Sequence, residues 1–380
     1  MIYLDNAATT FPKPQVVYEE MDYVNRECGV NAGRGSYKLA RKAADMISEL
    51  KNEIRTLVKT DVSSAVVLTP SITVALNQII FGINWKPSGT VYVSPYEHNA
   101  VARTLHQISQ RNNIDIQELP INEDTLEIDI EKMKYVFSKN NPSAVFCTHM
   151  SNVTGYILPV KEIFEVAKKY NAITVLDTAQ SLGLLEVDSK TINVDLIAFA
   201  GHKSLYGPFG IGGFVNIGEV ELKEVIVGGT GSDSLNLEMP QNKEQKYEAA
   251  SCNVVAVAGL KKAIEIIDRV ELCKKEKALT DYLVERLLKI DGITVYLPND
   301  REKHIGVVSF SVENYKAEDI GLILDEDYDI AVRTGYHCAP YIHKYLKDQS
   351  TLGTVRVGIG QFNSQNDIDA LVDALSELCG

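Results

Sequence analysis

The chain has 380 residues, of which 45% are hydrophobic and 23% charged, a balance typical of globular proteins. Its formal net charge of −13 gives no basic footprint for nucleic acid or an anionic membrane, so neither partner is expected, although a local basic patch is compatible with it. Six scattered cysteines without a CxxC pair predict no metal site and a reducing compartment. The absence of a signal-peptide pattern and of a long apolar run predicts a soluble cytoplasmic protein.

Short apolar strands alternate with amphipathic helices along the first 250 residues. The pattern predicts, in order, helices 15–26 and 39–59, strand 65–69, helix 73–82, strand 90–94, helix 98–111, strand 114–119, helix 130–137, strand 144–148, helix 161–170, and strands 172–177, 195–200 and 211–216. Such alternation predicts an α/β fold whose large domain contains a mainly parallel seven-stranded sheet with helices on both faces.

Beyond residue 251 the helices become longer and the strands shorter. The pattern predicts helices 254–270, 274–290, 317–324 and 367–378, and strands 294–296, 306–312, 329–333 and 354–359. This indicates a smaller α+β domain at the C-terminal end. We therefore predict three parts: an N-terminal segment, 1–15, packed on the small domain, a large domain, 16–255, and the small C-terminal domain, 256–380.

Polar residues follow several predicted strands at their carboxyl ends, where open α/β sheets bind ligands. Asp177 ends one strand and Gln180 follows it, while Asn152 and His98 come shortly after two others. Taken singly, Asp177 and His98 can each be interpreted as a helix cap instead of a ligand-binding residue. Thr73 lies at a helix start, where free N–H groups favour a phosphate. Together these residues predict one ligand site.

Lys203 comes directly after a buried strand, in the stretch Gly201-His-Lys203. A solvated loop lysine is the plain alternative, but a lysine entering a pocket avoids the cost of a buried ammonium if its amine is held as an imine. A ligand with a phosphate, an aldehyde for Lys203, a ring nitrogen for Asp177 and a flat face for stacking is pyridoxal 5'-phosphate. The residues therefore predict that cofactor.

Eight motifs then follow one another along the chain. They are Tyr3-Leu-Asp-Asn-Ala-Ala8, His98-Asn99, Ser151-Asn-Val-Thr-Gly155, Asp177-Thr-Ala-Gln180, Gly201-His-Lys203, Tyr206-Gly-Pro208, Arg333-Thr-Gly-Tyr-His-Cys-Ala339 and Val355-Arg356. In this order they resemble the class V aminotransferase superfamily, and more narrowly the SufS-like (group II) cysteine desulfurases and selenocysteine lyases. The resemblance spans essentially the whole chain. It implies the fold type I of pyridoxal-phosphate transferases and a homodimer.

The resemblance also implies roles around the cofactor. Lys203 would hold it as an imine, and Asp177 would pair with its ring nitrogen. Gln180 would donate to its phenolic oxygen, with Asn152 alongside near the substrate. His98 would stack on the ring and move protons.

The phosphate would be held from two subunits. Thr73 and His202 are the expected ligands within one chain, and Ser251 would reach the phosphate of the neighbouring subunit. Ala200 stands where the family commonly has a serine, so one hydrogen bond to the phosphate would be lost.

Cys338 distinguishes between reactions. A cysteine alone is most often a small buried hydrophobe, but this one lies in a turn whose sequence resembles the desulfurase loop. Nearby cations, Arg333 and also His337 if it is protonated, would favour its thiolate. Arg356 would bind the substrate carboxylate and Arg333 would contribute to substrate binding. The other five cysteines, Cys252 among them, are assigned to packing.

These expectations converge on a pyridoxal-phosphate-dependent cysteine desulfurase. L-cysteine would give L-alanine and a persulfide on Cys338, and a reductant or a sulfur-acceptor protein would take the sulfur. Three alternatives stay open: a selenocysteine lyase, transamination or β-elimination with Cys338 not catalytic, and a non-catalytic sulfur-relay scaffold. A nucleotide-binding protein is disfavoured, because no glycine-rich phosphate motif opens a helix after the first strand.

Overall fold

The computed structural model describes residues 1–32, 35–232 and 234–379. Its strands are β1 Ile2–Tyr3, β2 Ala65–Thr69, β3 Thr90–Val93, β4 Asp115–Glu118, β5 Ile121–Asn122, β6 Glu127–Ile128, β7 Pro142–Thr148, β8 Ile173–Asp177, β9 Leu196–Ala200, β10 Gly212–Asn216, β11 Ile293–Tyr296, β12 Val307–Val312, β13 Ile330–Ala331, β14 Arg333–Gly335 and β15 Thr354–Gly358. Its helices are α1 Gln15–Glu27, α2 Lys38–Leu57, α3 Ile72–Gly82, α4 Asn99–Asn112, α5 Ile130–Lys139, α6 Val160–Lys168, α7 Ser189–Ile192, α8 Val254–Ile266, α9 Arg269–Leu287, α10 Ala317–Tyr328, α11 His343–Leu346 and α12 Gln365–Cys379, with a single 3₁₀ turn at Arg301–Lys303.

The large sheet has seven strands in the order β2-β10-β9-β8-β7-β3-β4. Its strands run parallel except β10, which is antiparallel to both of its neighbours. Strands β2, β9 and β10 are buried along their whole length, as expected for a sheet covered on both faces. The predicted α/β fold with a mainly parallel seven-stranded sheet is confirmed.

Alternate residues of the strands enter two separate cores. Val66 lies in the core that contains α2 and α6, whereas its neighbour Val67 lies in the core that contains α3 and α4. Leu50 and Leu105 are fully buried members of these two cores. Each such side chain contributes about 1.5–3 kcal/mol on burial. The two cores hold the carboxyl ends of the parallel strands in a fixed arrangement.

A second, antiparallel sheet, β11-β12-β15-β14, packs against α9, α10 and α12. The N-terminal segment joins this region, because β1 pairs with β13, Asp5 bridges to Gly358 and Leu4 is buried in the same core. The division of the chain into three domains stays a prediction.

The boundary between two of the predicted helices lies at a different position in the structure. The sequence pattern places their boundary after Val270, but α8 ends at Ile266 and α9 begins at Arg269. The reason is Asp268, whose carboxylate accepts hydrogen bonds of 3.1 Å from the first backbone N–H groups of α9, a strong N-terminal cap. Within the described ranges, no helix combines the length and apolarity that crossing a membrane requires.

Candidate active site

Lys203 lies just beyond the carboxyl end of β9. The chain leaves the strand at Gly201, where a Cβ atom would come within 2.7 Å of the Ile211 carbonyl oxygen, so only glycine allows this turn. Burial lowers the pKa of Lys203 to about 8, although the nearby Asp177 carboxylate acts in the opposite direction. Near neutral pH, a substantial fraction of this amine is therefore an uncharged nucleophile.

Asp177 is the last residue of β8, the strand next to β9. One carboxylate oxygen accepts a 2.8 Å hydrogen bond from the Ala179 N–H, and the other has no hydrogen-bond partner in the described parts of the chain. Burial raises the pKa of Asp177, and the Ala179 N–H and Lys203 oppose that shift. The unpaired oxygen can accept a hydrogen bond from a protonated ring nitrogen.

His98 caps helix α4, as one of the two sequence interpretations predicts. Its Nδ1 accepts a 3.0 Å hydrogen bond from the Ala100 N–H, so the proton of the neutral ring lies on Nε2. Burial, followed by the charge of Lys203, lowers the pKa of His98 to about 4. The ring is therefore neutral at physiological pH and offers one donor, Nε2–H. Stacking on a cofactor stays a prediction.

The start of α3 offers unpaired backbone donors. Ser71 caps the helix by accepting a 3.3 Å bond from the Val74 N–H, whereas the N–H groups of Ile72 and Thr73 have no hydrogen-bond acceptor in the described parts of the chain. His202 contributes a buried Nδ1 that also lacks a hydrogen-bond partner there. A helix N-terminus together with an unpaired buried imidazole nitrogen fits a phosphate group.

Ser251 does not join these residues within one chain. It lies in an exposed segment before α8, where its hydroxyl accepts a 3.0 Å hydrogen bond from Asn31. Its expected role on a neighbouring subunit stays a prediction. Cys252 next to it is also exposed, so assigning this cysteine to packing is wrong, whereas Cys28 and Cys147 are buried as expected.

The Cys338 turn follows β14 and has an unusual backbone. His337 and Cys338 both have left-handed conformations, with φ of 45° and 57°. Each costs a non-glycine residue about 1–2 kcal/mol. Two hydrogen bonds of 2.7 Å compensate: the Asn99 N–H donates to the Cys338 carbonyl, and the Asn152 side chain donates to the His337 carbonyl. These two hydrogen bonds attach the turn to Asn99, at the start of α4, and to Asn152, which follows β7 of the large sheet.

Of the two cations expected beside the thiol, the structure supports one. Nη2 of Arg333 lies 3.8 Å from the sulfur of Cys338. His337 is instead buried, with Nε2 2.8 Å from the Thr354 hydroxyl, and burial lowers its pKa well below the ordinary value. The expectation of a cationic His337 is therefore wrong, because burial favours the neutral ring.

Arg356 brings the two halves of the site together. It lies on β15, is only 2% exposed, and donates to the Asp5 carboxylate at 2.6 Å and to the Asn152 carbonyl at 3.1 Å. Its Nε is buried without a hydrogen-bond partner in the described residues. The Cys338 thiol contributes to the pKa values of both Arg356 and Lys203, so it lies near both groups. Arg356 can therefore hold a carboxylate between the lysine and the thiol.

The N-terminal segment contributes contacts that the sequence analysis missed. Asp5 pairs with Arg356, and Lys13 donates to the His202 carbonyl at 2.7 Å. Burial lowers the pKa of Lys13 to about 7. Gln180, expected to face the cofactor, donates its amide N–H to the Ala7 carbonyl at 2.8 Å. The motif that contains Asp5 is visible in the sequence, but its ion pair is not.

Glu97 is a second residue that the sequence analysis missed. It is fully buried, accepts hydrogen bonds from the Ser94 hydroxyl at 2.5 Å and from the Thr148 N–H at 2.6 Å, and has a second oxygen without a hydrogen-bond partner in the described residues. Burial raises the pKa of Glu97 to about 8. It therefore carries a proton at neutral pH. Glu97 lies between predicted strand 90–94 and predicted helix 98–111, and no pattern in the sequence indicates that it is buried.

A cleft of about 1000 Å³ opens above Cys338, between α4 and residues 333–349. With it, the geometry defines a class of protein: an α/β enzyme fold whose ligand site lies at the carboxyl ends of parallel strands, beside a lysine and opposite a thiol.

Comparison with known proteins specifies the family. The model of the aminotransferase class-V family matches residues 2–371, so the chain belongs to that family and the resemblance noted in its motifs is confirmed. It is 31% identical over 389 aligned positions to a probable cysteine desulfurase of Methanothermobacter thermautotrophicus, covering 100% of this chain and 95% of that one. A probable cysteine desulfurase of Halalkalibacterium halodurans is 32% identical, with 99% and 93% covered. The solved apo structure of the cysteine desulfurase from Thermococcus onnurineus NA1 superposes with a TM-score of 0.91 at 28% identity, covering 100% and 94%.

Proposed function

We propose that this chain is a pyridoxal-phosphate-dependent cysteine desulfurase, which converts L-cysteine into L-alanine and leaves the sulfur as a persulfide on Cys338. One observation carries the proposal: the Cys338 thiol, in its left-handed turn, lies near enough to Lys203 and Arg356 to influence the pKa values of both. The names of the relatives support the same reaction and favour cysteine over selenocysteine.

The described residues fit pyridoxal phosphate. The unpaired Asp177 oxygen suits its ring nitrogen, and the free N–H groups at the α3 start, together with His202 Nδ1, suit its phosphate. Lys203 Nζ would hold its aldehyde. When bound, the cofactor supplies a carbonyl that condenses with amines and a ring that withdraws electrons from the bonds at the substrate α-carbon.

Lys203 and His98 handle protons in this proposal. The Nζ atom of Lys203 would take the proton from the substrate α-carbon. An amine with a pKa of about 8 suits this role, because near neutral pH it is partly unprotonated and yet still basic. The neutral His98 ring, at the N-terminus of α4, offers its Nε2–H as a proton donor.

Arg356 positions the substrate. Its guanidinium is held on two sides, by Asp5 and by the Asn152 carbonyl, so its orientation is fixed before the substrate arrives. A planar guanidinium pairs with the substrate carboxylate through two parallel hydrogen bonds. This places the side-chain sulfur of the substrate toward Cys338.

Cys338 takes the sulfur. Its thiolate, stabilised by Arg333 at 3.8 Å, attacks the substrate sulfur, and a sulfur–sulfur bond forms while the carbon–sulfur bond breaks. The electron pair of the broken bond stays on carbon and is finally protonated to give the methyl group of alanine. The sum is L-cysteine plus the Cys338 thiol giving L-alanine plus the Cys338 persulfide, so no external oxidant is needed.

The proposed enzyme is a homodimer. Three apolar side chains of the irregular segment between β10 and α8 are strongly exposed, Val227 at 70%, Leu235 at 98% and Leu237 at 100%, and burying them against a second copy would lower the free energy. The exposed Ser251 belongs to the same segment. Sedimentation analysis is expected to give twice the chain mass, and a monomer at micromolar concentration would contradict this part of the proposal.

The reaction is tested by supplying L-cysteine or L-selenocysteine to the cofactor-loaded protein. We expect alanine from L-cysteine, with one persulfide on Cys338 per alanine in the first turnover, trapped by alkylation and located by peptide mass spectrometry. Pyruvate instead of alanine, or an undiminished rate in Cys338→Ala, would point to β-elimination or another class V reaction. A selenocysteine preference without persulfide would point to a lyase.

A further inference from the structure

We propose that the cleft above Cys338 binds a small anionic thiol, and that this thiol accepts the sulfur directly. The inference rests on the proposed function, because it concerns the persulfide that this reaction leaves on Cys338. It assigns the acceptor a chemical class: a slender molecule with a thiol and a carboxylate or sulfonate.

The size and depth of the cleft suit such a molecule. Its volume, about 1000 Å³, is at the upper end of the range of small-molecule sites. Cys338 is only partly exposed, and its turn is fixed by Asn99 and Asn152, so the sulfur does not project beyond the surface. A small thiol can reach the sulfur through the cleft that Cys338 lines.

The charge of the cleft favours anions. None of its lining residues is an aspartate or a glutamate, although the chain as a whole carries a formal charge of −13. Arg103 and Arg333 line the cleft, and neither forms an ion pair with a carboxylate within residues 1–32, 35–232 and 234–379. A cleft lined by one sign of charge concentrates ligands of the other sign.

The remaining titratable groups of the cleft do not cancel this field. Lys344 at its margin pairs with Glu118, and the buried Asp348 pairs with His343 at 2.5 Å. Arg103, on the exposed side of α4, contributes to the lowered pKa of His98. The positive field of the cleft therefore extends as far as His98.

The transfer step is balanced. The thiolate of the acceptor attacks the outer sulfur of the Cys338 persulfide, forming a new sulfur–sulfur bond as the bond to Cys338 breaks. The electron pair of that bond stays on the Cys338 sulfur, beside Arg333, and restores the thiolate. The acceptor leaves as its own persulfide, so one sulfur atom moves and no further redox partner is required.

The experiment uses the cofactor-loaded enzyme, converted to its persulfide with L-cysteine and then freed of amino acid. This protein is mixed with 3-mercaptopropionate, 2-mercaptoethanol or cysteamine, which are anionic, neutral and cationic thiols of similar size. Loss of the Cys338 persulfide is followed by quenched-flow mass spectrometry. Each rate is divided by that of the same thiol with a small-molecule disulfide, which removes differences in intrinsic reactivity.

We expect the anionic thiol to react fastest and the cationic thiol slowest after this correction, with a spread of about three- to tenfold that shrinks in high salt. Arg103→Gln should remove most of the spread and Arg103→Lys should keep it. Lys132→Gln, which removes an exposed cation from α5, is the matched control and should change nothing.

Equal corrected rates for the three thiols, in both the wild type and Arg103→Gln, would overturn the inference and favour a protein acceptor or a reductant from bulk solvent. The same samples report separately on the proposed function. Alanine and persulfide from the first turnover must match in all variants, and their absence from the wild type would overturn the desulfurase assignment itself.

Discussion

The lysine and cysteine sides of the site are built in opposite ways. Lys203 follows a fully buried central strand, in an ordinary backbone conformation, and its reactivity comes from burial, which lowers its pKa. Cys338 lies outside the large sheet, on a partly exposed turn with two consecutive left-handed residues, and the guanidinium of Arg333 lies 3.8 Å from its sulfur. Lys203 is thus surrounded by protein, whereas Cys338 lies beside a cation near the surface.

The difference matches the role that we propose for each group. A proton-transferring lysine benefits from a fixed, water-poor position, because its pKa then stays near the working pH. A sulfur-carrying cysteine must be reachable from two directions, first by substrate and then by an acceptor. Arg356 is the link, since it belongs to the small sheet and yet lies near both groups.

The largest expected effect is at the lysine. Lys203→Ala removes both the cofactor's covalent partner and the base, so alanine formation should fall more than about a thousandfold. The measurement is alanine release from L-cysteine, with cofactor absorbance recorded in parallel. A variant that keeps a tenth of the activity would show that another group takes the proton.

Cys338→Ala should separate the two sides of the site. We expect no persulfide and a loss of desulfuration of about a hundredfold or more, while cofactor absorbance and binding stay at the wild-type level. The contrast with Lys203→Ala, which should lose the cofactor's absorbance signature, tests whether the thiol acts only after the substrate has bound. A parallel loss of cofactor would contradict the comparison.

Substitutions of Arg356 and of its partner Asp5 should act on substrate binding. Arg356→Lys keeps a charge but loses the planar pair of donors, so KM for L-cysteine should rise about ten- to a hundredfold with a smaller change in kcat. Asp5→Asn keeps the shape but removes the ion pair, and a KM about three- to tenfold higher is expected. An effect on kcat alone would place Asp5 in the chemistry rather than in positioning.

The pH dependence tests activation by burial. Because burial lowers the pKa of Lys203 to about 8, its amine is charged well below that pH and becomes neutral above it. The rate at which the apoprotein takes up pyridoxal phosphate should therefore rise roughly tenfold between pH 7 and pH 9. Stopped-flow absorbance measures it, with Lys203→Ala as the blank. A rise of about a hundredfold over the same interval, with no levelling off below pH 10, would indicate an ordinary, solvated lysine.

The smallest expected effect concerns the backbone. Cys338 has a φ of 57°, so Cys338→Gly should be more stable than Cys338→Ala, by about 0.5–1 kcal/mol. Lys203 has no such conformation, so Lys203→Gly should be less stable than Lys203→Ala. Urea unfolding of the four variants checks both signs. Equal signs at the two sites would remove the backbone part of the comparison.

The sequence predicted the lysine side better than the cysteine side, for physical reasons. A buried strand followed by glycine and lysine is a local pattern, and its meaning does not depend on distant residues. The neutral state of His337 and the ion pair between Asp5 and Arg356 depend on contacts across more than a hundred residues of chain or on burial that no local pattern reveals. Glu97 was missed for the same reason, since it lies between predicted strand 90–94 and predicted helix 98–111, where no local pattern indicates burial.

The N-terminal segment makes the site sensitive to local unfolding. Within its first thirteen residues, Asp5 contacts Arg356, the Ala7 carbonyl accepts from Gln180, and Lys13 holds the carbonyl of His202. Detaching this segment would therefore disturb the carboxylate site, the cofactor's neighbourhood and the lysine turn in one event. Hydrogen exchange of its amides thus measures how often the catalytic centre comes apart while the two sheets stay folded.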